Sequence, residues 1–224
     1  MTAGKLIVIE GTDGSGKATQ SELLEKALRK AGKKVKLVSF PRYGHPAAYF
    51  EERYLSGDFG DMRSVGPYGA SLFYALDRFE MASTLRKWLS EGTFVIANRY
   101  TTSSMVHQAS LLPTQRALKA YLKWLKVTEW VILGIPQPDL VLFLDVPPAI
   151  SLDLTEKRSQ RDSKRAKDMI EKDEAHMRKA YAGARKVAKS EAWLSIPCVK
   201  RGRMLEKAQI AAIIHDVVLH EIES

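Results

Sequence analysis

The chain has 224 residues, 45% of them hydrophobic and 27% charged, a balance that excludes wholesale disorder and suffices for one domain, residues 1–224, with a sizeable core. No uncharged apolar run approaches the roughly 18 residues of a membrane span, no secretory signal is expected at the N-terminus, and the one cysteine, Cys198, excludes an intrachain disulfide framework, so a cytoplasmic protein is expected. Lys and Arg number 35 against 26 Asp and Glu, and the resulting charge of +9 suits nucleic acid, an anionic membrane surface or small phosphate esters, or serves solubility alone.

In chain order, residues 5–10 (KLIVIE) predict a short buried strand bounded by Gly11. Residues 16–31 follow as an amphipathic helix with Leu23, Leu24, Ala27 and Leu28 on one side, ended by Gly32. A second strand covers 35–40 and stops at Pro41. A long helix runs from about Tyr68 to Ser90 and ends near Gly92, and a third strand covers 93–97. A helix around 114–127 precedes a fourth strand at 140–145, stopped by Pro147 and Pro148. A shorter fifth strand at 192–196 and a last helix at 204–222 complete the pattern, with no internal repeat or linker. Strands alternating with helices predict an α/β fold in which a five-stranded parallel sheet carries helices on both faces and binds ligands at the strands' carboxyl ends.

The first strand runs into Gly11-Thr12-Asp13-Gly14-Ser15-Gly16-Lys17, the G-x-x-x-x-G-K pattern of a phosphate-binding P-loop in its required strand–loop–helix setting. Glycines let successive N–H groups turn inward, the next helix offers its positive end, and Lys17 supplies a movable charge for phosphate. The next residue is Ala18 rather than the Ser or Thr that ordinarily touches magnesium, and Thr19 stands one place late. Phe40, Arg42 and Tyr43 leave the second strand at its carboxyl end, where a guanidinium and a phenol can reach a second phosphate. Tyr74 and Arg78 share one face of the long helix: either a base-stacking ring beside a hydrogen-bonding guanidinium, or an aromatic core position with a solvated arginine. Asn98-Arg99-Tyr100 follows the third strand, and Ser103, Ser104 and His107 continue onto a helix. Arg158, Arg161, Arg165, Asp168 and Glu171 recur at helical spacing, as a solvated salt-bridged stripe or as an arginine flap over phosphates.

Together the stretches GTDGSGKATQ, FPRYG, YLSGDFG, YALDRFE, NRYTTSSMVHQ, PDLVLFLDVPP and KDMIEKDEAHMRKAY resemble the thymidylate kinase family of P-loop nucleoside monophosphate kinases, from Lys5 to about Tyr181. The resemblance implies a three-layer fold with an arginine-rich lid at about 155–172, and transfer of the ATP γ-phosphoryl to dTMP with Mg²⁺. It implies that residues 11–19 bind ATP, that Asp13 lies near the acceptor's sugar and phosphate, and that Phe40, Arg42 and Tyr43 surround the acceptor phosphate. It further implies that Tyr74 stacks on thymine, Arg78 bonds its O4 edge, Arg99 bridges toward the phosphates, Ser103 and Ser104 read the ring, and His107 lies near the sugar. With Gly14 inside the P-loop, catalytic charge falls to Arg158, Arg161 and Arg165, beside Lys17 and Arg99; Asp13 and Glu171 are the candidate metal groups. Asp145, ending the fourth strand, is either a further metal-side group or a structural one. Asn98 stands where the family has Asp. A homodimer is implied, and small phosphate esters rather than nucleic acid as partners. A kinase for another deoxynucleoside monophosphate, and a non-catalytic nucleotide-binding or nucleic-acid-binding protein, stay open as other readings.

Overall fold

Five short strands, each ending where glycine, proline or a turn interrupts an apolar run, line up in parallel in the order β2-β3-β1-β4-β5. They are β1 (Leu6–Glu10), β2 (Val35–Ser39), β3 (Phe94–Asn98), β4 (Leu140–Asp145) and β5 (Leu194–Pro197). The computed structural model describes residues 3–109, 111–151 and 174–223. Between the strands lie α1 (Lys17–Lys30), α2 (Tyr49–Leu55), α3 (Met62–Ser90), α4 (Thr101–Ala109), α5 (Gln115–Lys126), α6 (Glu174–Ser190) and α7 (Lys207–Glu223). A 3₁₀ turn, Pro46–Ala48, leads into α2, and a π-helical turn, Val127–Ile132, extends α5. After β5, the residue pairs Val199–Lys200 (β6) and Arg203–Met204 (β7) form a small antiparallel hairpin.

β1 shows why the sheet forms. Every one of its residues is buried, because its two faces serve two cores. Ile7 and Ile9 pack with Leu24 and Leu28 of α1 and with Ile210, Ile214 and Val218 of α7. Leu6 and Val8 face the other way, with Ala82 and Leu85 of α3. On that second side, Phe143 of β4 meets Val106 of α4 and Ala184 and Ala188 of α6. The sheet thus has helices on both faces, as the alternation of elements leads one to expect.

α3 begins earlier than its sequence suggests. Asp61 caps it through Oδ1, which accepts from the N–H groups of Arg63 and Ser64. The helix is then interrupted at Gly66 (φ 69°, ψ 169°), just before Pro67. The unbroken part therefore starts where the sequence places the long helix.

β1 is the centre of the order, with β3 on one side and β4 on the other. The chain crosses in opposite directions from it, and such a switch opens a crevice at the carboxyl ends of the strands. Glu10, Asn98 and Phe40 stand at those ends. The arginine-rich segment expected at about 155–172, with Arg158, Arg161, Arg165, Asp168 and Glu171, lies outside the described residues.

Candidate functional site

The loop from β1 to α1 wraps tightly. A Cβ on Gly11 would lie 2.5 Å from Ser15 Oγ and 3.2 Å from the Leu144 carbonyl oxygen, so the loop closes only without one. Gly16 occupies the N-cap position of α1 in a left-handed conformation (φ 91°), and no side chain caps the first turn. The first N–H groups of α1 are thereby left facing the crevice, the arrangement that receives an anion at a helix start. Thr12 Oγ1 and Ser15 Oγ are buried with no hydrogen-bond partner among the described residues. Both hydroxyls suit a phosphate oxygen. Ala18 and Thr19 continue into α1.

Lys17 folds back over this loop. Its Nζ donates to the Gly11 carbonyl at 2.8 Å and the Thr12 carbonyl at 2.9 Å, with Asp13 Oδ1 3.7 Å away. Burial, reinforced by the charge of Arg99, pushes the ammonium down to about 8. Asp13 responds oppositely. Burial alone would raise its carboxyl, but Arg99 and Lys17 hold it well below the usual carboxylate range. Arg99 Nη2 donates to the same oxygen, Asp13 Oδ1, and its Nη1 lies 2.8 Å from His107 Nε2. Burial first, then Arg99, pushes the imidazole of His107 down to about 4, so near neutral pH it is uncharged and its ring nitrogen accepts from the guanidinium. Arg99 itself has φ 65°, a strained conformation for a non-glycine residue and a common mark of functional positions.

Glu10, fully buried at the end of β1, fastens the P-loop to α4. Its Oε1 accepts from the Gly11 N–H at 2.9 Å, and its Oε2 accepts from Thr102 Oγ1 at 2.8 Å and Ser103 Oγ at 2.6 Å. Ser103 is therefore committed to the P-loop side, whereas Ser104 Oγ, on the next position of the helix, accepts from Arg78 Nη2 at 3.3 Å.

Arg78 is buried rather than solvated, with 2% of its surface exposed. Its Nε and Nη2 donate to Glu129 Oε2 and Oε1 at 2.7 and 2.6 Å, and Nη1 reaches the Tyr100 carbonyl at 3.5 Å. Thr101 Oγ1 also donates to Glu129, at 2.6 Å. Four of the guanidinium's five N–H groups thus have partners among the described residues, where one on Nη1 is left for a ligand atom. One turn earlier Tyr74 is half-buried, its ring 6.3 Å from that of Tyr54 and its hydroxyl raised by burial.

Arg42 is likewise anchored. Asp77, fully buried on α3, accepts from the Arg42 backbone N–H at 2.9 Å and its Nε at 2.7 Å, and Nη2 donates to the Asp77 carbonyl and to Glu80 Oε2. Phe40, buried edge-on against Tyr100 at 5.7 Å, supports the guanidinium from below at 6.0 Å. Tyr43 beside it is 59% exposed. The crevice so gathers Lys17, Asp13, Arg99 and His107 at the loop, and Tyr74 and Arg78 of α3 with Ser104 of α4 and Arg42 of the segment after β2 set against them.

Glu10, Asp77 and Glu129 carry no role in the sequence reading. Glu10 and Asp77 sit beside motif residues and are traceable there. Glu129 lies 51 positions from its partner in an apolar stretch, and only the fold reveals it. Asp145 accepts from the Tyr181 hydroxyl at 2.7 Å, with Arg185 at 3.8 Å, and so ties α6 to β4.

No group of three or more His, Cys, Asp or Glu side chains forms a metal cage among the described residues. Both cations lean on Asp13 Oδ1, and the buried Asn98 Oδ1 has no partner among the described residues while its Nδ2 donates to Ser39, so Asp13 Oδ2 and Asn98 Oδ1 are the oxygens on hand. That donor set fits a hydrated Mg²⁺ bound mainly by substrate phosphates and water.

A family model described as thymidylate kinase matches residues 9–202. The thymidylate kinase of Mycobacterium tuberculosis is 37% identical over 169 residues, 75% of this chain and 78% of that protein. The human thymidylate kinase is 32% identical over 143 residues, 64% of this chain and 61% of that protein. Among solved structures, a thymidylate kinase from Candida albicans superposes with a TM-score of 0.71 at 21% identity, covering 97% of this chain and 92% of that one, a likeness of fold.

Proposed function

This chain belongs to the thymidylate kinase family, and from that membership we propose that it transfers the γ-phosphoryl group of ATP to dTMP, acting as a single domain over residues 1–224. The observation that carries this reading is the meeting of Lys17 and Arg99 on Asp13, which joins a P-loop to the end of β3 and to α4, whose Ser104 accepts from Arg78 of α3. Phosphoryl transfer needs two phosphates aligned and positive charge placed between them rather than covalent help from the protein. Residues 11–19 cradle the donor phosphates, and Lys17 leaves its two carbonyl partners to meet them. Arg42 and Tyr43 face the acceptor phosphate and Arg99 spans the gap. Tyr74 stacks on the base, Arg78 gives its remaining N–H to O4, Ser104 faces the ring, and the uncharged His107 keeps Arg99 oriented beside the sugar. Ser103 serves the same site indirectly, through Glu10.

Thymidylate kinases generally use Mg-ATP. The ion, when bound through Asp13, Asn98 and waters, would supply charge neutralisation at the phosphates; Glu171 is a further candidate ligand outside the described residues. Replacement of Asn98 by Asp adds a carboxylate at the unpartnered Oδ1 position, and the Mg²⁺ concentration for half-maximal rate is expected to fall about tenfold, the equivalent of about 1.4 kcal/mol. A magnesium titration at saturating ATP and dTMP checks it, and an unshifted midpoint removes Asn98 from the metal's surroundings.

Because Gly14 supplies no cation from the P-loop, the transition-state charge is assigned to Arg158, Arg161 and Arg165 of the lid. Arg161→Ala and Arg165→Ala should each lower kcat at least about tenfold with smaller changes in KM, since a charge that acts during transfer affects the rate more than ground-state binding. Normal turnover in the double variant refutes the assignment.

We further assign a homodimer. Leu72, Leu76 and Phe79 form an exposed apolar stripe on α3, and Val131 and Ile132 expose 75% and 71% of their surface on the π-helical turn. The Arg78–Glu129 pair and the Arg86 contact with the Gly134 carbonyl hold these two elements side by side, so the exposed groups suit a second copy. Among the described residues no helix is long and apolar enough to cross a membrane, and the reading assigns a cytoplasmic protein acting on small phosphate esters rather than nucleic acid. A coupled ADP-release assay over dTMP, dUMP, dCMP and dGMP tests the function. Release with dTMP supports it, release with another monophosphate alone reassigns the substrate, and salt-sensitive DNA binding without turnover replaces it.

A further inference from the structure

The helix α2 lays two buried side chains, Glu51 and Tyr54, against α3. Glu51 has no exposed surface, and neither of its carboxyl oxygens has a hydrogen-bond partner among the described residues. The charges around it are Asp77 and Arg78 of α3 and Arg42 of the segment after β2, with the Tyr74 phenol close by. Each of those charges is already committed: Arg42 to Asp77 and Glu80, and Arg78 to Glu129. Ionised Glu51 thus adds a fourth carboxylate to two guanidinium groups, counting Asp77, Glu80 and Glu129 as the other three. Burial pushes the Glu51 carboxyl up to about 7, with Asp77 adding to it and its own backbone N–H, Arg78 and Arg42 opposing it.

We propose that Glu51 is a positioning residue for the acceptor pocket: uncharged, it leaves the Arg42–Asp77 and Arg78–Glu129 pairs intact, and ionised, it competes with Asp77 and Glu129 for those guanidinium groups and loosens the hold on dTMP. This rests on the assignment of Arg42 and Arg78 to the acceptor. On ionisation the proton passes to solvent, and no covalent bond forms or breaks elsewhere. The folded chain holds that proton more tightly than the unfolded chain, whose carboxyl has its ordinary value. Its stabilising contribution is therefore present in acid and lost as pH rises through about 7.

The test compares wild type with Glu51→Gln and Glu51→Val, measuring KM for dTMP and for ATP between about pH 6 and about pH 8.5, a window that spans the titration. The dTMP KM of the wild type should rise at least about fivefold more than that of Glu51→Gln, the lower edge of ordinary coupling between two sites. The amide keeps the shape and cannot ionise, so in melts extended down to about pH 4.5 it should also abolish the relative fall in melting temperature that the wild type shows between about pH 4.5 and about pH 7. Lys17 titrates in the same window, but it is retained in every variant and acts on ATP as well, so the difference between the profiles belongs to Glu51. Parallel profiles overturn the proposal, and so does failure of both variants to fold, which marks Glu51 as structural only. A wild type that does not phosphorylate dTMP at any pH overturns the functional reading itself, and this assignment with it.

Discussion

Lys17→Ala should lower kcat by about a thousandfold, the upper range for removing one preorganised charge aimed at a developing anion. The side chain is buried, and its two donor bonds are to carbonyls of its own loop, Gly11 and Thr12. Those bonds fold the ammonium back over its own loop. Alanine leaves Gly11, Gly14 and Gly16 in place, so the loop keeps its path, and removal of a desolvated cation beside Arg99 offsets the two lost bonds. The melting temperature should therefore change little while turnover collapses. The lowered ammonium adds a second signature. In the free enzyme, kcat/KM for ATP should decline as pH rises through about 8, because the deprotonated amine no longer attracts phosphate. For stability the sign is opposite: the unfolded chain keeps its lysine proton to higher pH than the folded chain, so folding gains from this group as pH rises above about 8. Steady-state rates with calorimetric melting measure both. Unchanged turnover in the alanine variant removes the P-loop from the reaction.

Arg78→Ala should be costly in a different way. The substitution leaves Glu129 with no exposed surface and without its bidentate partner, and breaking such a buried pair from one side costs about 3–5 kcal/mol. At about 2–4 °C per kcal/mol for a chain of this size, the melting temperature should fall by roughly 10 °C. Acceptor affinity should fall as well, through loss of the one N–H left for the base. A double variant, Arg78→Met with Glu129→Leu, separates the two effects. Replacing both partners by apolar groups of similar size should restore most of the stability, whereas affinity for dTMP should stay low and that for ATP close to wild type. If the double variant binds dTMP normally, Arg78 is a structural residue only. If the single variant melts with the wild type, the pair with Glu129 contributes little to folding.

These two residues mark the boundary between what sequence reveals and what it conceals. Lys17 is legible because its function depends on six preceding residues and on the strand and helix around them, all contiguous in the chain. The strands are legible for a related reason: β1 and β4 are buried on both faces, and a fully buried strand must be a short apolar run ended by glycine or proline. The long helix is legible from Tyr68 onward, past the break at Gly66 and Pro67 where the backbone leaves helical geometry, whereas its first turn, capped by Asp61, is not. The helix Tyr49–Leu55 left no such trace, since YFEERYL buries a glutamate and exposes Tyr49 and Phe50, reversing the polarity from which a helical face is read. The π-helical turn was equally silent, with Val131 and Ile132 outside and Glu129 inside.

What the chain by itself determined is the alternation of elements, the P-loop, and the set of residue types brought to the crevice. What only the tertiary structure decided is which charges remain available there. Arg42 finds Asp77 35 positions away, Arg78 finds Glu129 51 away, and Arg99 finds Asp13 86 away. Ser103 and Ser104 are neighbours in sequence, yet successive positions on a helix point about 100° apart, so one turns to Glu10 and the other to Arg78. Local pattern records how a segment buries its own apolar atoms. The partner of a buried charge is chosen by which distant segment the fold brings within hydrogen-bond reach, because a charge removed from water must be met there or be neutralised.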